Sequence, residues 1–142
     1  MTSTDATAAS GAALTAVAYA GDSALPTFAG VTLAALDAAE STLLDALPFG
    51  VVGLDVSGRT QTYNLIESQM AGLSRDSVLN QEFFLTTGVC MNNFLVAQRF
   101  EDEPTLDVTI DYVLTFRMRP TPAKLRLLQQ PGGRLHYVLV QR

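Results

Sequence analysis

Three side chains in this sequence have types and spacing suited to chemistry at one site: Cys90, Tyr63 and Glu67. Cys90 is the only cysteine, and it ends the stretch FFLTTGVC, where the chain reads as a loop between apolar segments. A thiol on a reachable loop can act as a thiolate nucleophile, whereas a structural cysteine more often packs in a core. Tyr63 and Glu67 sit in Tyr-Asn-x-x-Glu, 23 residues ahead of that thiol counted from the glutamate. If Asn64 begins a helix, the i, i+4 spacing carries Tyr63 and Glu67 to one ligand. A polar group buried in a dry interior needs short hydrogen bonds to replace lost hydration. Tyr63 can donate one. Glu67 can donate one when protonated, and both burial and a neighbouring anion raise a carboxyl pKa. Taken singly, each residue has an ordinary structural reading: Cys90 as a small hydrophobe, Glu67 as a solvated helix residue, Tyr63 as a strand end.

Composition bounds the rest. The chain has 142 residues, 48% apolar and 16% charged, which suits one domain with its own core. A net charge of −5 disfavours phosphate-backbone recognition, so no nucleic-acid partner is expected. One cysteine and one histidine, His136, offer neither a disulfide nor a metal cluster. No run of about 18 apolar residues is present to span a membrane. With no basic residue before Arg59 there is no secretory n-region, and a cytoplasmic location is expected. No Ser-His-Asp set or phosphate loop stands out, so an enzyme is not expected.

The elements that must position these residues read as follows. Residues 1–26, rich in Ala, Ser and Thr, form an N-terminal extension expected to be flexible, with a marginal helix over Ala13 to Ala20, and 27–142 form the domain. Leu33, Leu36, Leu43, Leu44 and Leu47 predict one helix from Thr32 to Pro48. Phe49 to Asp55 reads as a buried strand, Ser57-Gly58 as a turn, and Thr60 to Tyr63 as the return strand. Asn64 caps a short helix through Leu65, Ile66, Met70 and Leu73, and Ser74 caps another to Val78-Leu79. Asn93 caps a helix carrying Phe94, Leu95, Ala97 and Phe100. Glu101 to Glu103 with Pro104 reads as an exposed turn. Leu106 to Leu114 alternates as a strand, followed by one through Ala123, Leu125 and Leu127, a turn at Gln130 to Gly133, and a last strand to Val140. His136 is a strand residue with no assigned role. This is an α+β order with one antiparallel sheet.

Phe49-Gly50-x-x-x-Leu54-Asp55, Gly58, Tyr63-Asn64-x-x-Glu67, Gly72, Phe83-Phe84 and Cys90 together resemble the photoactive yellow protein family. A second block runs from Met118-Arg119-Pro120-Thr121 to Val138-Leu139-Val140, and the resemblance covers about 95 of the 142 residues. It implies a PAS fold: a five-stranded antiparallel sheet with short helices covering a ligand cavity. It also implies a blue-light photoreceptor carrying p-coumaric acid (4-hydroxycinnamic acid) as a thioester on Cys90, signalling by trans–cis isomerisation and proton transfer. Tyr63 and a protonated Glu67 would hold the phenolate. Val52 and Phe84 would wall the pocket, and Met118 would touch the chromophore from a late loop. The signal would pass from a monomer or weak dimer to a separate signalling protein. The outer positions depart from the family: Val89 stands where proline is expected, Ala71 for threonine, Leu73 for arginine and Phe116 for tyrosine. The alternative is a PAS module that binds a ligand or a protein without a covalent chromophore.

Overall fold

The computed structural model describes residues 25–115 and 119–142. Most of the extension, including the expected helix over Ala13 to Ala20, lies outside these residues, as do Phe116 and Met118. Five strands form one antiparallel sheet: β1 Gly50–Leu54, β2 Thr60–Tyr63, β3 Leu106–Leu114, β4 Thr121–Gln129 and β5 His136–Gln141. Their order across the sheet is β2-β1-β5-β4-β3. This is the expected α+β architecture.

The sequence pattern follows from coverage. All five residues of β1 are buried, as are Tyr137 to Val140 of β5, because these central strands have protein on both faces. Val52, Val138 and Val140 face one apolar cluster with Tyr63, Phe83, Met91, Leu125 and Leu127. Val51, Tyr137 and Leu139 face a second with Phe28, Leu36, Leu44, Leu47 and Phe49. Edge strand β3 alternates between covered and exposed residues, as its sequence predicts.

The single helix expected from Thr32 to Pro48 is two helices, α1 Leu33–Ala38 and α2 Ser41–Ala46, with Ala39 and Glu40 extended between them. Thr32 caps α1 through its side chain, accepting from the Ala35 N–H at 3.1 Å. The break lets Leu33 and Leu36 from one helix, and Leu44 and Leu47 from the other side of it, all reach the second cluster. Continuous 3.6-residue periodicity therefore overstated the helix. Tyr137 fixes the first piece by donating to the Asp37 carboxylate at 2.6 Å.

Arg126 ties this layer to the sheet. Its guanidinium donates to the carbonyls of Phe28 and Val31 at 3.0 and 2.6 Å, and to both oxygens of Asp107 at 2.9 and 3.0 Å.

The opposite face carries α3 Leu65–Ala71, α4 Arg75–Val78, two 3₁₀ turns at Phe83–Leu85 and Val89–Met91, and α5 Ala97–Asp102. Ser74 caps α4 as expected. Asn93 accepts from the N–H groups of Leu95 and Val96, but the helix begins only at Ala97, so Phe94 and Leu95 precede it and are exposed. The Asn93 side chain closes its own local turn, which competes with helix initiation there.

Candidate functional site

Asn64 is the joint on which the site is built. It is buried, and its side-chain oxygen accepts from Val51 N–H at 2.9 Å and caps α3 by accepting from Glu67 N–H at 3.4 Å. Its amide donates to the carbonyls of Leu44 and Phe49 at 2.8 and 3.0 Å. One side chain thus joins α2, β1 and α3, and holds the first turn of α3 against the sheet. Gly72, at φ 72°, ends the helix in the left-handed conformation that glycine adopts without strain.

Helix α3 turns an unexpected face inward. Glu67 and Ala71 are buried, while the apolar Leu65, Met70 and Leu73 are exposed. The Glu67 side chain is only 3% exposed. Space for it comes from Gly50, where a Cβ would run into the Glu67 carboxyl group. Its two oxygens accept from Arg142, Nη1 to Oε1 at 2.8 Å and Nη2 to Oε2 at 3.1 Å, and the Arg142 side chain is itself 10% exposed. Burial holds the Glu67 carboxyl above its ordinary pKa, a rise that the hydrogen bonds and charge of Arg142 only partly offset.

Arg142 has no place in the sequence-based site. A terminal arginine after a strand looks like an exposed end, and no local spacing ties it to a glutamate 75 residues away. Only the register of β5 beside β1, with Val140 opposite Gly50, brings that end to α3.

Tyr63 ends β2, opposite Val52 on β1. Its hydroxyl is buried and has no hydrogen-bond partner among the described residues. Burial, reinforced by the neighbouring Glu67, pushes its pKa far up, so it is a donor at any ordinary pH. Ala71 occupies the buried face of α3 one turn beyond Glu67 and brings no hydroxyl. A buried donor with nothing to donate to is rare, and it marks a place where an acceptor belongs.

Cys90 lies in the middle of the Val89–Met91 3₁₀ turn, half-buried and packed against the cluster that contains Tyr63, Val52, Phe83 and Met91. The route to it is set by edge pairing. Asn80 N–H donates to Thr60 O, Thr60 N–H to Gln81 O, and Phe83 N–H to Gly58 O, so this segment runs along β2. Gly88 then passes directly over the Phe83 ring, where a Cβ would overlap the aromatic carbons. Val89 is exposed, Met91 is buried, and Cys90 sits between the two environments.

Phe84 stands edge-on to Phe83 at 5.3 Å and leads through Phe100 at 6.4 Å to His136, whose ring lies 4.5 Å from that of Phe100. The rings of Phe84, Phe100 and His136 line a groove of about 950 Å³ with Val56, Ala97 and Leu135. Of the sequence-predicted site residues, the groove takes only Phe84. A smaller hollow of about 140 Å³ is bordered by Tyr63, Asn64, Asp45 and Arg75. The structure therefore brings Tyr63, Val52 and Cys90 to one cluster, sets Glu67 beside Tyr63 and puts Phe84 at its edge. Met118 lies outside the described residues.

Among the described residues no group of His, Cys, Asp and Glu is arranged to hold a metal ion, and no helix is long and apolar enough to cross a membrane.

No protein-family model matches the chain. Among curated proteins, it is 30% identical over 111 residues to the photoactive yellow protein of Rhodobacter capsulatus, covering 74% of this chain and 87% of that protein. It is 28% identical over 102 residues to that of Rhodothalassium salexigens, covering 70% and 82%. Among solved structures, the photoactive yellow protein domain of the sensor histidine kinase Ppr from Rhodospirillum centenum superposes with a TM-score of 0.70 at 28% identity, over 77% of this chain and 98% of that one. A PAS domain from an HTR-like protein of Haloarcula marismortui shares the fold, with a TM-score of 0.54 at 16% identity, over 72% of this chain and 91% of that one.

Proposed function

The chain belongs to the photoactive yellow protein family and has the PAS fold, and from that premise we propose that it is a light sensor, not an enzyme, whose Cys90 carries p-coumaric acid as a thioester. The observation that carries this reading is the Tyr63 hydroxyl. It is a buried donor without a partner among the described residues, in the cluster against which the only thiol packs. A phenolic ligand anchored at Cys90 gives that donor its acceptor.

The roles of the side chains follow from chemistry. The Cys90 thiolate is the form that attacks an activated acyl group; a C–S bond forms and the activating group leaves. The bound acid supplies a double bond that light can isomerise. Tyr63 donates to the phenolic oxygen and fixes the ring's far end. Glu67 lies beside that end with its own partner, Arg142. Val52 and Phe84 exclude water from the ring, and Met118 is the further contact that membership of the family implies. Moving the phenolic end away would leave Tyr63 and Glu67 to rearrange in a dry interior, which a small domain relieves by local unpacking. The altered positions Ala71, Leu73 and Val89 change the shell around this arrangement and set its colour and recovery rate. The output passes to a separate signalling protein.

A second reading, a PAS module with a non-covalent ligand or protein partner, is favoured by the large groove, because Phe84, Phe100 and His136 line it and Cys90 does not.

The deciding experiment mixes the purified protein with activated p-coumaric acid and follows mass and absorption, beside Cys90→Ala. One acyl group per chain at Cys90, with a band that bleaches reversibly in light, is the expected result. An unmodified thiol, or a ligand that persists in Cys90→Ala, overturns this reading in favour of the second.

A further inference from the structure

The groove lined by Phe84, Phe100 and His136 lies apart from the thiol, and neither Cys90 nor Tyr63 borders it. Its walls come from four segments distant in sequence: the β1–β2 turn at Val56 to Gly58, the 3₁₀ turn Phe83–Leu85, α5, and the β4–β5 turn at Gln130 to Gly133. Hydrogen bonds hold these walls in place. Phe83 N–H donates to Gly58 O at 2.9 Å. The Gln129 side-chain amide donates to the carbonyls of Phe100 and Glu103, each at 2.9 Å, and so fastens α5 to β4. Gly133 N–H donates to Gln130 O at 3.1 Å and closes the hairpin turn. A volume of about 950 Å³ with fixed walls suits a small molecule, since such sites are mostly formed before the ligand arrives.

The lining selects one sign of charge. The rings of Phe84 and Phe100 are tilted by 35°, and those of Phe100 and His136 by 40°. Glu82 and Glu101 also border the groove, and no Lys or Arg does among the described residues. Neither of these glutamates has a hydrogen bond or ion pair at its carboxyl group among the described residues. Burial lowers the His136 pKa below its ordinary 6.5, so the imidazole is neutral at pH 7 and opposes no cation. Its ring nitrogens make no hydrogen bond among the described residues. Aromatic faces are electron-rich, so the rings and the two carboxylates attract the same kind of ligand. The net charge of −5 adds to that attraction.

We propose that this groove binds a small organic cation, an ammonium group carrying an apolar or aromatic substituent. The ammonium lies against the rings of Phe84, Phe100 and His136, and Glu82 and Glu101 supply the opposite charge. The substituent covers the apolar lining of Ala97 and Leu135. A carboxylate ligand such as p-coumarate meets the wrong sign here, so the groove and Cys90 take different molecules. The two sites share Phe84 but neither the thiol nor the glutamates. Binding in the groove therefore stands or falls independently of acylation at Cys90.

The single histidine makes the test direct, because its ring resonances need no assignment. The full chain is titrated at pH 7 with benzyltrimethylammonium, and the His136 ring signals and the N-methyl signals of the probe are followed by NMR. Benzyl alcohol and benzoate serve as neutral and anionic probes. The expected result is saturation at one cation per chain, with His136 shifted and the N-methyl protons moved upfield by the rings. Benzyl alcohol should bind about tenfold more weakly, and benzoate more weakly still. The double variant Glu82→Gln, Glu101→Gln changes two exposed side chains and should weaken the cation by about fivefold. Absence of saturation overturns the proposal. Equal affinity for benzyl alcohol does so too, since the groove would then be an apolar slot without charge preference. An affinity unmoved in the double variant has the same force, as does saturable binding that leaves His136 unshifted, which would place the cation elsewhere.

Discussion

The hydroxyl of Tyr112, on edge strand β3, donates to the backbone carbonyl of Cys90 at 2.5 Å and accepts from the Asn93 side-chain amide at 2.7 Å. Asn93 also reaches the same carbonyl at 3.3 Å. The turn bearing the thiol is therefore pinned to the sheet from outside its own segment. Tyr112→Phe removes the stronger pin and should cost about 1 kcal/mol of stability. It should also raise the rate at which Cys90 reacts with a disulfide reagent several-fold. An unchanged thiol rate would show that the turn is held by its local hydrogen bonds alone.

Gly50 and Glu67 compete for one volume. Gly50→Ala should destabilise by roughly 1–3 kcal/mol, as overpacking does. Combined with Glu67→Ala, the added methyl meets no carboxyl. The double variant should then be more stable than the sum of the two single losses, by about 1 kcal/mol. Urea unfolding of the four proteins closes the cycle, and simple additivity would mean that the strand shifts to accommodate the methyl.

Arg126 and Asp107 share an ion pair but not its consequences. Arg126 is buried and Asp107 is 61% exposed at its side chain. Arg126→Met leaves the carbonyls of Phe28 and Val31 without their donor, each at a cost of roughly 1–3 kcal/mol. Asp107→Asn removes a largely solvated partner and should cost less than about 1 kcal/mol. Thermal unfolding of both variants tests this; equal losses would place the energy in the ion pair instead of the carbonyls.

His136 gives a pH dependence with a definite sign. Burial against Phe100 lowers its pKa below the ordinary 6.5, an effect that the Asp55 charge only partly offsets. The folded state then binds fewer protons than the unfolded one. Its contribution is fully present above the unfolded pKa and is lost as pH falls through the folded one. The melting temperature of the wild type should therefore fall from pH 7 toward pH 5 more steeply than that of His136→Phe. Parallel curves would show that the imidazole charges without leaving its stack.

The strands were legible because coverage writes itself into side chains. Gly50–Leu54 is continuous apolar sequence buried on both faces, and Leu106–Leu114 alternates because one face is open. The caps at Asn64 and Ser74 were legible because capping is local. The break at Ala39 and Glu40 was not, since it serves packing against a cluster that includes Tyr137, far away in the chain. Nor was the inward face of α3. Its apolar residues mark the side that faces solvent, and the buried side holds a charge. The Tyr-Asn-x-x-Glu spacing pointed to Glu67 but could not supply Arg142, because that contact exists only once the sheet register is known.

The strand order has a consequence for how the molecule assembles. β1 and β2 form a hairpin of near neighbours, as do β3 and β4, and strand pairing among the described residues joins the two hairpins only through β5, which pairs with β1 on one side and β4 on the other. A ribosome delivers β5 last of the five. Until then each hairpin exposes an unpaired edge, and the glutamate on α3 has no cation. Insertion of one six-residue strand closes the sheet, buries both exposed edges and neutralises that charge in a single late event.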